Sequence, residues 1–184
     1  MPSPKPDNRV RIIGGEYRRR LLGFPAAADL RPTPDRVRET LFNWLGQDLH
    51  GWTCLDLFAG SGALGFEAAS RGATRVVMVE RERAAHEALL RNRDLLGAKG
   101  LDIQRADALN WLAHDREDFD LIFVDPPFAS DLAERILPML APHLKPGGQV
   151  YVEQRGFVNV PVGFIMHRNG RAGQSHFALL IKDT

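Results

Sequence analysis

From Thr53 onward the chain alternates short apolar runs with stretches of helical periodicity, and few architectures accept that alternation. The runs are rich in Val, Ile, Leu and Phe and read as strands buried on both faces. The expected strands are Thr53–Phe58, Arg75–Glu80, Leu101–Arg105, Phe119–Val124 and Gln149–Glu153. The expected helices cover Ala63–Arg71, Arg83–Leu96, Ala108–Ala113 and Asp131–Ala141, and Leu144 to Gly148 reads as a turn. Strands joined through helices pair in parallel, because the crossover returns each strand in the same direction. The tail from Gly163 to Ile181 differs. Its two strands meet around Asn169-Gly170-Arg171-Ala172-Gly173, a connection too short for a crossover, so they must pair antiparallel. The expected fold is α/β: a Rossmann-like, doubly wound, mostly parallel sheet of seven strands with a C-terminal antiparallel hairpin.

Residues 1–45 read as a small N-terminal extension of the domain formed by 46–184. Val10–Ile13 and Tyr17–Phe24 form a candidate hairpin around Gly14-Gly15, with arginines on its exposed face. Leu30 to Pro34 is an extended loop, in which Thr33 can cap a helix that has Pro34 at its first position. That helix, Asp35 to Leu45, gathers Val37, Leu41, Trp44 and Leu45 on one face. The opening residues, Met1 to Asn8, lack the apolar core of a signal peptide and are expected to be disordered.

Composition narrows the setting. The single cysteine, Cys54, lies in an apolar strand and reads as a buried thiol, and with no disulfide possible the cytoplasm is the expected compartment. No segment is long and apolar enough to span a bilayer. The six histidines show no metal-ligand spacing, so no metal is expected. Net charge is +1, yet residues 1–45 carry nine basic and five acidic side chains, while the remainder is net −3. Eight of those nine are arginines, suited to bidentate phosphate contact. Arg11, Arg18, Arg31, Arg36 and Arg38 are therefore candidate contacts to a polyanion such as RNA.

Two motifs carry the chemistry. Asp125-Pro126-Pro127-Phe128 follows the apolar run Phe119–Val124, at the carboxyl end of a strand, where open α/β sheets hold their active sites. Proline restricts both its own backbone and that of the preceding residue. The tetrapeptide can thus present a fixed row of acceptors, the Asp125 carboxylate and the prolyl carbonyls, beside the Phe128 ring. An extruded nucleobase with an exocyclic amine fits such a row. Upstream, Asp56-Leu57-Phe58-Ala59-Gly60-Ser61-Gly62-Ala63-Leu64-Gly65 joins the first strand to its helix, and Glu80 ends the next strand. The glycines let backbone approach a nucleoside ligand, and Glu80 can accept from both ribose hydroxyls. A dinucleotide and S-adenosylmethionine both fit that spacing. Asp56 would repel a pyrophosphate but attract the ammonium and sulfonium of S-adenosylmethionine. Asp107-Ala108, after the third strand, suits the adenine amino group.

Taken together, Asp56-x-Phe58-x-Gly60-x-Gly62, Glu80, Asp107 and Asp125-Pro126-Pro127-Phe128 resemble the class I S-adenosylmethionine-dependent amino-methyltransferases. Arg11-Ile12-Ile13-Gly14-Gly15, the stretch from Leu30 to Leu45 and Gly173-Gln174 are more specific. They resemble the bacterial 16S rRNA guanine-N2-methyltransferases of the RsmD type. That resemblance implies a cytoplasmic, S-adenosylmethionine-dependent enzyme acting on one guanine of 16S rRNA, with the assembled small ribosomal subunit as preferred substrate. Asp125 to Phe128 would form its catalytic motif. From the motif alone, an adenine-N6-methyltransferase acting on DNA or RNA remains open, as does a non-catalytic ribosome-assembly factor. The chain is expected to act as a monomer, since no apolar helix face is left for a partner.

Overall fold

Strands of period two and helices of period 3.6 build the molecule as the sequence leads one to expect. The computed structural model describes residues 8–26 and 30–184. Of the disorder expected over Met1 to Asn8, residues 1–7 lie outside the described residues, while Asn8 instead begins a strand, β1. The extension comprises β1 (Asn8–Arg11), β2 (Leu21–Phe24) and α1 (Asp35–Trp44). The main sheet then unfolds as β3 (Thr53–Asp56), α2 (Ala63–Ser70), β4 (Arg75–Glu80), α3 (Arg83–Leu96), β5 (Leu101–Arg105), α4 (Ala108–His114), β6 (Phe119–Val124), α5 (Leu132–Ile136), β7 (Leu144–Arg155), β8 (Phe164–Ala172) and β9 (Ser175–Lys182).

The seven-stranded sheet has the order β5-β4-β3-β6-β7-β9-β8. The first five strands are parallel, and β9 inserts antiparallel between β7 and β8. Alternation along each strand sends side chains to two cores. Cys54, Met78, Phe123 and Tyr151 face α1, α2 and the β1–β2 hairpin, while Leu55, Val79, Val124 and Val152 face α4 and α5. Burial pushes the Cys54 thiol up, which keeps it protonated and unreactive.

Several boundaries differ from the sequence reading, each for a local reason. Tyr17 to Arg20 is a turn rather than strand, with Arg20 N–H donating to the Tyr17 carbonyl at 3.0 Å. The helix expected over 131–141 stops at Ile136 and continues as two 3₁₀ turns, Leu137–Met139 and Ala141–His143. Pro138 and Pro142 lack the N–H that a longer α-helix needs. Leu144 to Gly148 belongs to β7 as an irregularity, where pairing jumps from Phe119↔Leu144 to Leu121↔Gln149. At α1 the capping position falls on Pro34, and the Thr33 side chain makes no cap.

The extension shares one core with the sheet. Val10, Ile12, Leu22, Phe24, Leu41 and Phe42 pack in the same cluster as Cys54, Phe66 and Met78. Polar groups fix the docking. Glu67 on α2 is fully buried and accepts from Ile13 N–H at 3.0 Å, Gly14 N–H at 2.8 Å, Arg38 at 3.2 Å and Arg71 at 3.1 Å. Gly15, at φ 77°, sits against the Ser70 carbonyl so closely that a Cβ there would lie 1.9 Å from its oxygen.

Arg38 corrects an expectation. It has no exposed surface. Its guanidinium is spent on Glu67, on Asp35 at 2.6 Å and on the carbonyls of Thr33 and Arg11 at 3.0 and 2.9 Å. It therefore cannot reach a nucleic acid phosphate. Its place on α1 alternates inward with Val37 and Leu41, and only the burial of Glu67 makes an inward arginine favourable. Replacing one partner of a buried ion pair strands the other. Arg38→Met should lower unfolding free energy by about 3–5 kcal/mol. Urea denaturation checks this, and a loss below about 1 kcal/mol, the value of a surface pair, would show that the network does not anchor the extension.

Candidate active site

Four acidic residues meet at the carboxyl ends of four adjacent strands. Asp56 ends β3, Glu80 ends β4, Asp107 follows β5, and Asp125 follows β6. Because β5, β4, β3 and β6 are neighbours in that order, the four lie in a row along one edge. The chain order reverses between β3 and β6, the switch point where such sheets open a crevice.

At the cofactor loop, Asp56 is 1% exposed and its Oδ2 accepts from Gly65 N–H at 3.1 Å. Its Oδ1 has no hydrogen-bond partner among the described residues. Burial pushes the Asp56 carboxyl up to about 7, while the backbone amides of Gly65 and Phe58 pull the other way. A buried acceptor without a donor is costly, and a cationic donor relieves it. The α-ammonium of S-adenosylmethionine is such a donor, so the residues fit that cofactor. Glu80 Oε2 accepts from Gly60 N–H at 2.8 Å and its Oε1 from Glu82 N–H at 2.9 Å. Each oxygen keeps a second lone pair for a ribose hydroxyl. Gly62 has φ 85°, and a Cβ there would lie 2.5 Å from the Phe66 ring, so no other residue fits the turn. Phe58 is half-buried beside the loop. Asp107 is exposed and caps α4, its Oδ1 accepting from Asn110 N–H at 3.1 Å. Ala108, the next residue, is buried.

The second motif is held more tightly than the sequence reveals. Thr33, 5% exposed, donates its hydroxyl to Asp125 Oδ2 at 2.9 Å and lies 3.4 Å from Glu153 Oε2. One hydrogen serves one acceptor, and the shorter distance assigns it to Asp125. Glu153 is held in turn by the Tyr151 hydroxyl at 3.0 Å and the Ser175 hydroxyl at 2.8 Å. Burial, then the charge of Glu153, raises the Asp125 carboxyl well above the usual carboxylate range, against the Thr33 hydrogen bond. The Pro127 carbonyl is taken by Ser130, through N–H at 3.0 Å and Oγ at 2.7 Å, which narrows the prolyl acceptor to Pro126. Pro126 is buried, and Phe128 is 47% exposed with the Arg155 guanidinium 5.9 Å from its ring centre.

Thr33, Glu153, Tyr151 and Ser175 are absent from the motif reading. Thr33 reads as a helix cap because its hydroxyl partner lies 92 residues away in sequence. Its place between two prolines is the one local sign that its backbone is held for another purpose. Among the arginines, Arg11, Arg18, Arg31 and Arg36 are exposed. Arg9, Arg11 and Thr33 are among the residues lining a hollow of about 320 Å³. Arg11 also pairs with Asp35 at 3.2 Å.

Residues 10–181 match the family model named conserved hypothetical protein 95. The ribosomal RNA small subunit methyltransferase D of Escherichia coli is 40% identical over 183 residues, spanning 97% of this chain and 92% of that one. The chain belongs to the ribosomal RNA small subunit methyltransferase D family. The Haemophilus influenzae family member is 41% identical over 157 residues, spanning 82% and 81% of the two chains. A solved Escherichia coli methyltransferase, yhhF, superposes with a TM-score of 0.87 at 40% identity, covering 96% of this chain and 99% of that one. The fold alone is shared with the Thermus thermophilus 16S rRNA N2 methyltransferase RsmC, solved with AdoMet and guanosine, at a TM-score of 0.74 and 22% identity over 100% of this chain and 52% of that one.

The geometry of Glu80 sets a measurable expectation. Glu80→Ala removes both carboxylate oxygens and frees the Gly60 amide. If Glu80 binds ribose, S-adenosylmethionine binding should weaken by about 1–3 kcal/mol, roughly five- to 150-fold in Kd. Titration calorimetry checks this, and unchanged affinity would take Glu80 out of the cofactor site.

Proposed function

We propose that this protein transfers a methyl group from S-adenosylmethionine to the exocyclic N2 amine of a guanine in 16S rRNA of the small ribosomal subunit. The observation that carries the reading is the Asp125 motif, held at the carboxyl end of β6 next to a loop whose buried carboxylate lacks a donor. The family supplies the substrate class. When bound, S-adenosylmethionine supplies an electrophilic methyl group on sulfur. Asp56 would hold its ammonium, Glu80 its ribose, and Asp107 with Ala108 its adenine, while Phe58, Gly60 and Gly62 shape the wall.

The protein's own work is positional. A guanine amine is a poor nucleophile because its lone pair is delocalised into the ring. Thr33 occupies Asp125 Oδ2, so Oδ1 and the Pro126 carbonyl are the acceptors for the two amino hydrogens. Bonding both hydrogens fixes the amine and favours a localised lone pair aimed at the methyl donor. Phe128 stacks on the base and Pro127 stiffens the turn. As the N–C bond forms the methyl–sulfur bond would break, its electron pair going to sulfur, and the amine sheds a proton, which passes to Asp125. A carboxyl raised by burial and by Glu153 is a better proton acceptor than an exposed one. Exposed Arg11, Arg18, Arg31 and Arg36 would grip RNA phosphates. We take the enzyme to work as a monomer in the cytoplasm.

Methyl transfer to undermethylated small subunits, with nucleoside analysis, is the direct test. N2-methylguanosine is expected, whereas N6-methyladenosine would overturn the choice of base. Asp125→Asn should cut turnover by about 10²-fold or more with S-adenosylmethionine affinity unchanged. Activity needs ionised Asp125, so it is lost as pH falls through a pKa above the usual carboxylate range. Removing the neighbouring charge with Glu153→Gln lowers that pKa, and the acid limb of the rate profile should move to lower pH. A limb that stays in place would separate Glu153 from the titration of Asp125.

A further inference from the structure

The carboxyl edge continues past Asp125 into a feature that methyl transfer itself does not use. Phe157 lies two residues beyond the end of β7 and is 82% exposed. Its ring is 4.8 Å from that of His176, at 49°. The loop that carries it is tied down, since Gln154 Nε2 donates to the Phe157 carbonyl at 2.6 Å. Gln154 is the cross-strand neighbour of His176, and Arg171 is its neighbour on the other side. Arg155, between Gln154 and Phe157, reaches over Phe128 of the base-binding motif. Phe128, Arg155, Phe157 and His176 thus follow one another along the ends of β6, β7 and β9.

Resting on the methyltransferase reading above, we infer that Phe157 and His176, with Arg155 and Arg171, form a stacking platform for unpaired RNA bases that flank the target guanine. A base presented to the Asp125 motif must leave its stack, and its neighbours lose a stacking partner with it. Single-stranded RNA is held by aromatic and guanidinium planes, with cationic groups along the backbone. This edge has both: an exposed phenyl ring paired with a half-buried imidazole, and two exposed arginines nearby. Lone exposed apolar residues need no explanation, but Phe157 is ring-paired and continuous with the base site. Val160 and Val162, exposed on the same loop, make a protein surface of the subunit the competing occupant.

The test uses the full chain, undermethylated small subunits, and a fluorescein-labelled single-stranded RNA as a separate binding probe. Phe157→Ala and His176→Ala should raise KM for subunits and Kd for the probe about five- to hundredfold. In Phe157→Ala, S-adenosylmethionine affinity and Tm should not change, because Phe157 is largely exposed. Phe157→Trp should keep both constants near those of the unaltered chain, and Phe157→Leu should behave as the alanine variant does. Unmoved KM and Kd in Phe157→Ala would overturn the platform, and a Phe157→Leu protein with unaltered KM would assign the surface to a protein contact instead. The probe separates this inference from its parent. If the unaltered chain makes no N2-methylguanosine yet Phe157→Ala loses RNA binding, the reaction assignment fails and the platform stands.

Discussion

Glu67 is a carboxylate with no exposed surface, in the middle of a helix, and its satisfaction dictates how everything N-terminal to the sheet is arranged. An unpaired charge at that depth would be prohibitive. Two arginines and two backbone amides meet it, and three of those four donors come from the extension: Ile13, Gly14 and Arg38. The extension is thereby fixed in one register on α2, and the close approach at Gly15 follows from it. The same Arg38 donates Nε to the Thr33 carbonyl, and the Thr33 hydroxyl then reaches Asp125. A chain of short polar contacts thus runs from the middle of α2 to the base-binding motif. The segment that carries the exposed Arg31 and Arg36 therefore also holds Asp125 Oδ2, through Thr33.

Much of the fold was legible because buried parallel strands are apolar without interruption. Arg75–Glu80 and Phe119–Val124 fall where their composition puts them, whereas Leu101–Arg105, at the edge of the sheet, carries polar residues and is only partly buried. The positions of Asp56, Glu80, Asp107 and Asp125 were legible for the same reason, since each directly follows or ends such a run. Local sequence failed where a long-range partner decides. Arg38 reads as a surface arginine because charged residues on helices usually are, and only Glu67, 29 residues away, turns it inward. Thr33 reads as a cap because its true acceptor is brought near by the sheet. Glu153 reads as the end of a strand, and nothing nearby in sequence says that Tyr151, Ser175 and Thr33 converge on it. Pro138 and Pro142 are a different failure, since helical periodicity persists through both while the backbone cannot follow it.

Three carboxylates, Asp56, Asp125 and Glu153, stand at neighbouring strand ends, and each is satisfied differently. Glu153 has a hydroxyl donor on each oxygen. Asp125 has one oxygen claimed by Thr33. Asp56 has one oxygen on a backbone amide and the other with nothing. The unmet capacity therefore lies with Asp56 on the cofactor side and Asp125 on the base side, while Glu153 stands behind as fixed negative charge. Burial raises both Asp56 and Asp125, with the charge of Glu80 adding at the first and the charges of Glu153 and Asp56 adding at the second. A cationic amino acid moiety answers Asp56, and a base bearing an amine answers Asp125. A phosphate answers neither. The pattern of satisfied and unsatisfied oxygens thus separates the ligands this crevice can take from those it must reject, on grounds of charge and hydrogen count alone.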